Sequence, residues 1–273
     1  MTALIAASST HQALEAASAR ARPASVRWMR FTGLAFIVGA ILVNVPYSLL
    51  IANFDYPDIL RAPTGEILTK FADGGTGLIF TWLGFAWSAA PILIGILLLQ
   101  RVLEADGQRL ASAATLFGVI GGVIQMVGLL RWPFVVPGIA ATYTATGASP
   151  ATKSAAEVTF DAVHQYGGVV LGEHLGQAFT IAWIVLVAAM MFRSRIFRPW
   201  LGWVGLAAAA IYSLAQLELI ATVVPDFPSW DAAGLIGSLL WLAWMVLLGV
   251  QILVASRRQA PTSEIRSRLD VLT

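Results

Sequence analysis

Six apolar stretches, each of about 20 residues or more, constrain this chain more than any other feature. A helix rises about 1.5 Å per residue, so a run of that length crosses the hydrocarbon core of a bilayer. The stretches run from about Phe31 to Asn53, Gly77 to Leu103, Ala111 to Arg131, Gly168 to Phe192, Trp200 to Val224 and Asp231 to Ala255. Pro133, Pro199 and Pro225 fall just outside them, where a residue without an N–H does least harm. Composition agrees: 58% of residues are hydrophobic and 12% are charged, against roughly a quarter charged in soluble domains. So few charges cannot cover the water-facing surface of a fold this size. The expected fold class is all-α, a polytopic membrane bundle of six transmembrane helices with short surface helices in the outer loops. Residues 1–30 form an arginine-containing tail without a secretory apolar run, expected to be disordered and cytoplasmic. The transmembrane domain spans 31–255, and 256–273 is a second cytoplasmic tail.

The basic residues set the orientation. Of the 17 lysines and arginines, thirteen lie in the tails or in the second-to-third and fourth-to-fifth turns. Arg61, Lys70, Arg131 and Lys153 make up the other side. Positive charge accumulates on the cytoplasmic side, so both termini are expected there, in a cell inner (plasma) membrane. Trp28 and Trp200 fit an inner interfacial belt and Trp132 and Trp230 an outer one. Trp82, Trp87, Trp183, Trp241 and Trp244 lie deeper and read as packing residues. In the first outer loop Pro63 can open a short helix ending near Asp73-Gly74-Gly75. Ile67, Leu68 and Phe71 share one of its faces, which suggests that it lies on the membrane surface. In the second loop Ser149-Pro150 reads as an N-cap and first helical position, with a bend expected at Gly167-Gly168.

Polar groups within a bilayer are costly and therefore informative. Ordered by depth, they all fall in the outer half. Asn44 and Tyr47 lie in the first span, Gln125 and Arg131 in the third, and Glu173, His174 and Gln177 in the fourth. Tyr212, Gln216 and Glu218 lie in the fifth. Glu218 stands roughly 9 Å from the end of its helix and Glu173 at a similar depth. The candidate pocket is therefore Arg131, Glu173, His174, Gln177, Glu218, Gln125 and Asn44, with Asp161 and His164 in the outer loop. The same arginine and carboxylates could equally staple helices together. Gly168, Gly172 and Gly176 recur every four residues, a stripe that admits a close helix neighbour, with Gly118 and Gly122 as the matching seam.

No cofactor is predicted. Asp161, His164, Glu173, His174 and Glu218 offer oxygen and nitrogen donors for zinc or iron, but no HExxH or paired-histidine motif accompanies them. With no cysteine, thiolate sites and cysteine nucleophiles are excluded. A net charge of +2 gives no footprint for nucleic acid. No Walker A, GxGxxG or GxSxG pattern occurs.

Three passages carry a family likeness: Phe54-Asp-Tyr-Pro-Asp-Ile-Leu-Arg61 with Gly74-Gly75, the Arg131-Trp-Pro-Phe134 corner, and Phe160-Asp161 through Gly172-Glu-His174-Leu-Gly176. Together they resemble the bacterial multi-pass membrane proteins of domain-of-unknown-function family 4386, over about residues 28 to 255. The resemblance implies a multi-span helical protein and brings no reaction, substrate or catalytic residue with it. Three roles then compete. One is an outward-facing polar pocket binding a small polar ligand or ion. Another is an intramembrane enzyme with a glutamate base, with or without a metal. The third is a membrane partner or sensor that engages a membrane or cytoplasmic protein through its loops or tails. The lipid bilayer is the one partner the composition requires, and oligomeric state is not encoded legibly. The bare inner half argues against a carrier, and the residues favour a non-enzymatic role.

Overall fold

The computed structural model describes residues 25–230 and 232–270. Residues 1–24 and 271–273, which hold most of the expected N-terminal tail and the end of the C-terminal one, lie outside the described residues, as does Asp231. Among the described residues every regular element is helical. They are α1 (Val26–Phe54), a 3-10 turn (Asp58–Arg61), α2 (Thr64–Trp87), α3 (Ala90–Ala105), α4 (Ala111–Phe134) and α5 (Val136–Thr144). Next come α6 (Pro150–Val163), a π-helical segment (His164–Leu175), α7 (Gly176–Met191), α8 (Pro199–Ala221) and α9 (Ala233–Asp270). Six stretches are long and apolar enough to cross a membrane: Val26–Phe54, Thr64–Ala105, Ala111–Thr144, Pro150–Met191, Pro199–Ala221 and Ala233–Gln259. The protein is a multi-pass membrane bundle with the expected number of spans.

Short connections at residues 106–110 and 192–198 make successive spans antiparallel neighbours. Packing follows chain order: α1 against α3, α3 against α4, α4 against α7, α7 against α8 and α8 against α9. The ring then closes, because α9 packs on α1. At that seam a Cβ on Gly33 would stand 2.7 Å from the Gly249 carbonyl oxygen, and one on Gly249 would stand 2.6 Å from that of Gly33. Lipid tails are as apolar as leucine, so helices associate through close van der Waals packing, which small residues permit. The end bearing residues 55–63 and 145–163 is called upper below, and the end bearing the short turns lower.

The lower half is filled with apolar side chains. Phe36, Trp183 and Trp244 are buried in one cluster. Trp183 lies 6.1 Å from Phe36 and 5.5 Å from Trp244, centroid to centroid. Trp244 Nε1 donates to the Leu201 carbonyl at 3.0 Å, which satisfies the polar atom such a residue carries inside.

The upper end holds a second cluster, and here several expectations change. Trp132, expected in an interfacial belt, is 1% exposed and stacks on Trp82 at 4.5 Å and 9°. Ile67, Leu68 and Phe71 do not lie on the membrane surface. They are buried with Phe54, Trp132 and Phe160, because α2 folds inward against α4 and α5. The chain does not stop at Asp73-Gly74-Gly75. Gly75 takes φ 54° and ψ −149° between helical stretches, a conformation open to a residue without a Cβ, and the helix resumes beyond it. Trp87, expected as a packing residue, is 57% exposed. Pro133 lies inside α4 and is buried, one residue before the helix ends, so its missing N–H disturbs only the last turn. At Gly167-Gly168, where a bend is expected, the chain passes through the π-helical segment.

Candidate functional site

Glycines position the site. A Cβ on Gly128 would stand 2.5 Å from Gly172 Cα, and one on Gly121 would stand 3.0 Å from the Gly176 carbonyl oxygen. Side chains would hold these helices apart. Gln125 lies between the two glycines, and its Nε2 donates to the Gly176 carbonyl at 3.1 Å and to Thr180 Oγ1 at 2.8 Å. Gln125 thus fastens the seam and takes no place among the ionisable groups. The α4 half of the seam is Gly121 and Gly128. Gly118 meets Trp183 and Ile96, and Gly122 meets Leu93 of α3. Residues 121, 125 and 128 follow the i, i+4, i+7 spacing that places them on one helix face.

The seam brings Arg131 against the π-helical backbone. Arg131 is 8% exposed, and its guanidinium lies so close to Gly168 that a Cβ there would stand 2.4 Å from Nη2. Nη1 donates to the Gly128 carbonyl at 2.6 Å, and Nη2 lies 3.3 Å from His164 Nδ1. Arginine can only donate, so His164 Nδ1 accepts and carries no proton. His164 is held by stacking on Phe160 at 5.4 Å and 18°. Arg131 Nε is buried without a hydrogen-bond partner.

Glu173 is half-buried two turns further along the chain and forms neither a hydrogen bond nor an ion pair among the described residues. It follows Gly172, which lies against Gly128 one turn before Arg131. The neutralisation expected of Arg131 is supplied elsewhere for Glu218. Arg61 Nη2 lies 2.6 Å from Glu218 Oε1, and Arg61 Nη1 reaches Asp58 at 3.4 Å. Glu218 therefore sits at the rim, and Glu173 sits inside with Arg131.

Tyr212 on α8 is 6% exposed, with Gly237 of α9 against its backbone. Tyr56, on the link between α1 and the 3-10 turn, packs edge-on to Trp82 at 5.2 Å and to Tyr47 at 5.7 Å. Neither hydroxyl has a hydrogen-bond partner among the described residues. Burial first, and Glu173 second, push the Tyr56 phenol above its ordinary value, with Arg131 opposing. It remains a neutral donor at physiological pH.

The other expected site residues go elsewhere. His174 Nδ1 lies 2.8 Å from Gln216 Oε1, and Gln216 Nε2 donates to Gln177 Oε1 at 2.5 Å, a separate polar link between the fourth and fifth spans. A carbonyl oxygen only accepts, so His174 Nδ1 carries the proton. Asn44 is exposed, donates to its own helix at Ala40 (2.7 Å) and lines an open groove of ≈ 680 Å³ between α1 and α9. Asp161 is exposed and accepts from Thr64 Oγ1 at 2.6 Å, tying α6 to the start of α2. Of the donors weighed for zinc or iron, Asp161, His164, His174 and Glu218 are engaged with different partners, and Glu173 has none among the described residues. Among the described residues no three His, Asp or Glu side chains gather as a metal set.

Sequence reasoning passed over Tyr56, Tyr212 and Arg61 as site residues. Tyr56 and Arg61 stand in the first passage that carries the family likeness, with no role attached to either.

A family model described as a domain of unknown function (DUF4386) matches residues 31–249, and the chain belongs to that family. No curated protein and no solved structure matches the chain.

Proposed function

We propose that this DUF4386-family membrane protein binds a small polar ligand or ion at its upper end, between Arg131, Glu173, Tyr56 and Tyr212. One observation carries the reading. A guanidinium nitrogen, a carboxylate and two phenols from four different segments are gathered inside the bundle, and none has a hydrogen-bond partner among the described residues. Buried polar groups in folded proteins are overwhelmingly partnered, and stranding one costs about 1–3 kcal/mol, more when it is charged. Arg131 Nε is such a buried group, while Glu173 and Tyr56 are only half-buried; a buried unpaired guanidinium nitrogen beside accessible polar groups is an ordinary way to hold a ligand. A purely structural arginine and glutamate would be expected to pair directly.

The placement of thirteen basic residues in the tails and lower turns supports an upper end that faces out of the cell. Beneath the site, Phe36, Trp183 and Trp244 are buried against one another. That packing favours a receptor-like pocket over a conduit.

The chain contains no cysteine, so a single one reports without background. Glu173→Cys in intact cells is expected to react with a small, membrane-impermeant thiol reagent. Val187→Cys, buried in the lower half, is expected to stay inert. Equal inertness of both variants in folded protein overturns the pocket.

A further inference from the structure

We propose that the ligand is a small zwitterion, with its anionic end on Arg131 and its cationic end on Glu173. This rests on the pocket reading above and adds the chemical class of what enters. The inference begins from charge. Arg61 neutralises Glu218 at the rim, and His164 accepts at Nδ1 and so is neutral. Both tyrosines are neutral hydroxyl groups. What remains is one guanidinium and one carboxylate: Arg131 lies against Gly168, and Gly172, the residue before Glu173, meets Gly128 one turn before Arg131, yet no ion pair joins the two among the described residues.

A lone anion on Arg131 would leave a carboxylate facing a second negative charge in a poorly solvated place. A lone cation on Glu173 would face the guanidinium. Uncompensated buried charge is among the costliest arrangements a protein can hold. A ligand with one charge of each sign, and none net, satisfies both groups together. The free donors fit this class. Arg131 Nε has no partner and can reach a carboxylate-like group beside Nη2. The hydroxyls of Tyr56 and Tyr212 can turn to donate to the anionic end or accept from the cationic one. Glycine at 168 lets the guanidinium lie against backbone, which fixes its plane before anything binds.

The test uses the full chain in lipid nanodiscs and a ladder of probes with growing charge separation: glycine, β-alanine and γ-aminobutyrate. Butyrate and butylamine serve as the single-charge halves. One zwitterion of the ladder is expected to raise the melting temperature saturably, while butyrate and butylamine at equal concentration do not. Glu173→Gln is expected to weaken that zwitterion at least about thirtyfold, the usual consequence of removing one partner of a buried charge pair, and to admit butyrate. Glu173→Gln keeps the side chain's shape, so misfolding does not confuse the result; its melting temperature without probe serves as the check. Binding of butyrate or butylamine to the unaltered protein as tightly as the best zwitterion overturns the class. So does failure of the whole ladder when Glu173→Cys labels normally, a result that leaves the pocket standing. If Glu173→Cys does not label, the pocket falls and the zwitterion with it.

Discussion

The two halves of the bundle are built on opposite terms. Below, Phe36, Trp183, Trp244 and their neighbours bury apolar surface, and the one indole nitrogen of Trp244 is satisfied. Above, Trp82 and Arg131 each hold a donor without a partner among the described residues, the Glu173 carboxylate and two tyrosine hydroxyls are likewise unpartnered there, and the fourth span changes from α to π geometry. π-helical turns are rare and collect at functional sites. The unmet donor that packs on the lower cluster is an indole, Trp241 Nε1, whereas the upper end leaves ionisable groups available. Strain and unmet hydrogen bonds are tolerated where surrounding packing is strong enough to enforce them. Here the enforcing elements are the glycine seam and the aromatic stack of Trp82 on Trp132.

This contrast can be broken most forcefully from below. Trp183→Ala empties a fully buried site in contact with Phe36 and Trp244, and is expected to cost about 3–5 kcal/mol in reversible unfolding in detergent. A loss below about 1 kcal/mol would mean that the lower half is not the stabilising one. Next comes closure of the ring. Gly33→Val places atoms 2.7 Å from the Gly249 carbonyl and from Leu253, with an expected cost of about 1–3 kcal/mol. Gly84→Val, where a Cβ meets nothing within 4 Å, serves as the control for valine's lower helix propensity.

Smaller effects sharpen the picture at the upper end. Arg61→Ala removes an ion pair whose arginine is 58% exposed. Solvent screening limits its stability effect to about 0–1 kcal/mol, while freeing Glu218 is expected to alter how fast Glu173→Cys labels. Unchanged labelling kinetics would show that the rim pair has no part in access. Smallest of all is Tyr212→Phe. Its hydroxyl has no partner among the described residues, so melting should shift by no more than the equivalent of about 0.5 kcal/mol. A larger loss would place that hydroxyl in the folding of the bundle and remove it from the pocket wall.

Much of the fold was readable from length and apolarity, because a bilayer admits few solutions. Six runs long enough to span became six spans, and Ser149 caps α6 as its position before Pro150 implies. Depth placed Arg131 and Glu173 at similar heights, and the glycine seam packs their helices together. What depth could not supply was rotation about each helix axis. Asn44 stands at the right height and faces outward, and His174 turns to Gln216 while its neighbour Glu173 turns inward. Nor could hydropathy separate Trp132 at an interface from Trp132 in a core. That distinction depends on α2 folding over it, a tertiary event with no local signature. Tyr56 and Arg61 were hidden for the same reason, since both come from a link whose path is set by what it packs on.

The return of α9 to α1 has an electrostatic consequence at the lower end. Gly33 lies against Gly249 and Leu253, so the turns carrying Arg27 and Arg30 run beside those carrying Arg257 and Arg258. All four side chains are exposed. Residues at opposite extremes of the sequence therefore merge into one cationic rim. Near an acidic membrane surface each such charge is worth about 1 kcal/mol of attraction to headgroups, and here four of them act from one place, which neither helix supplies alone.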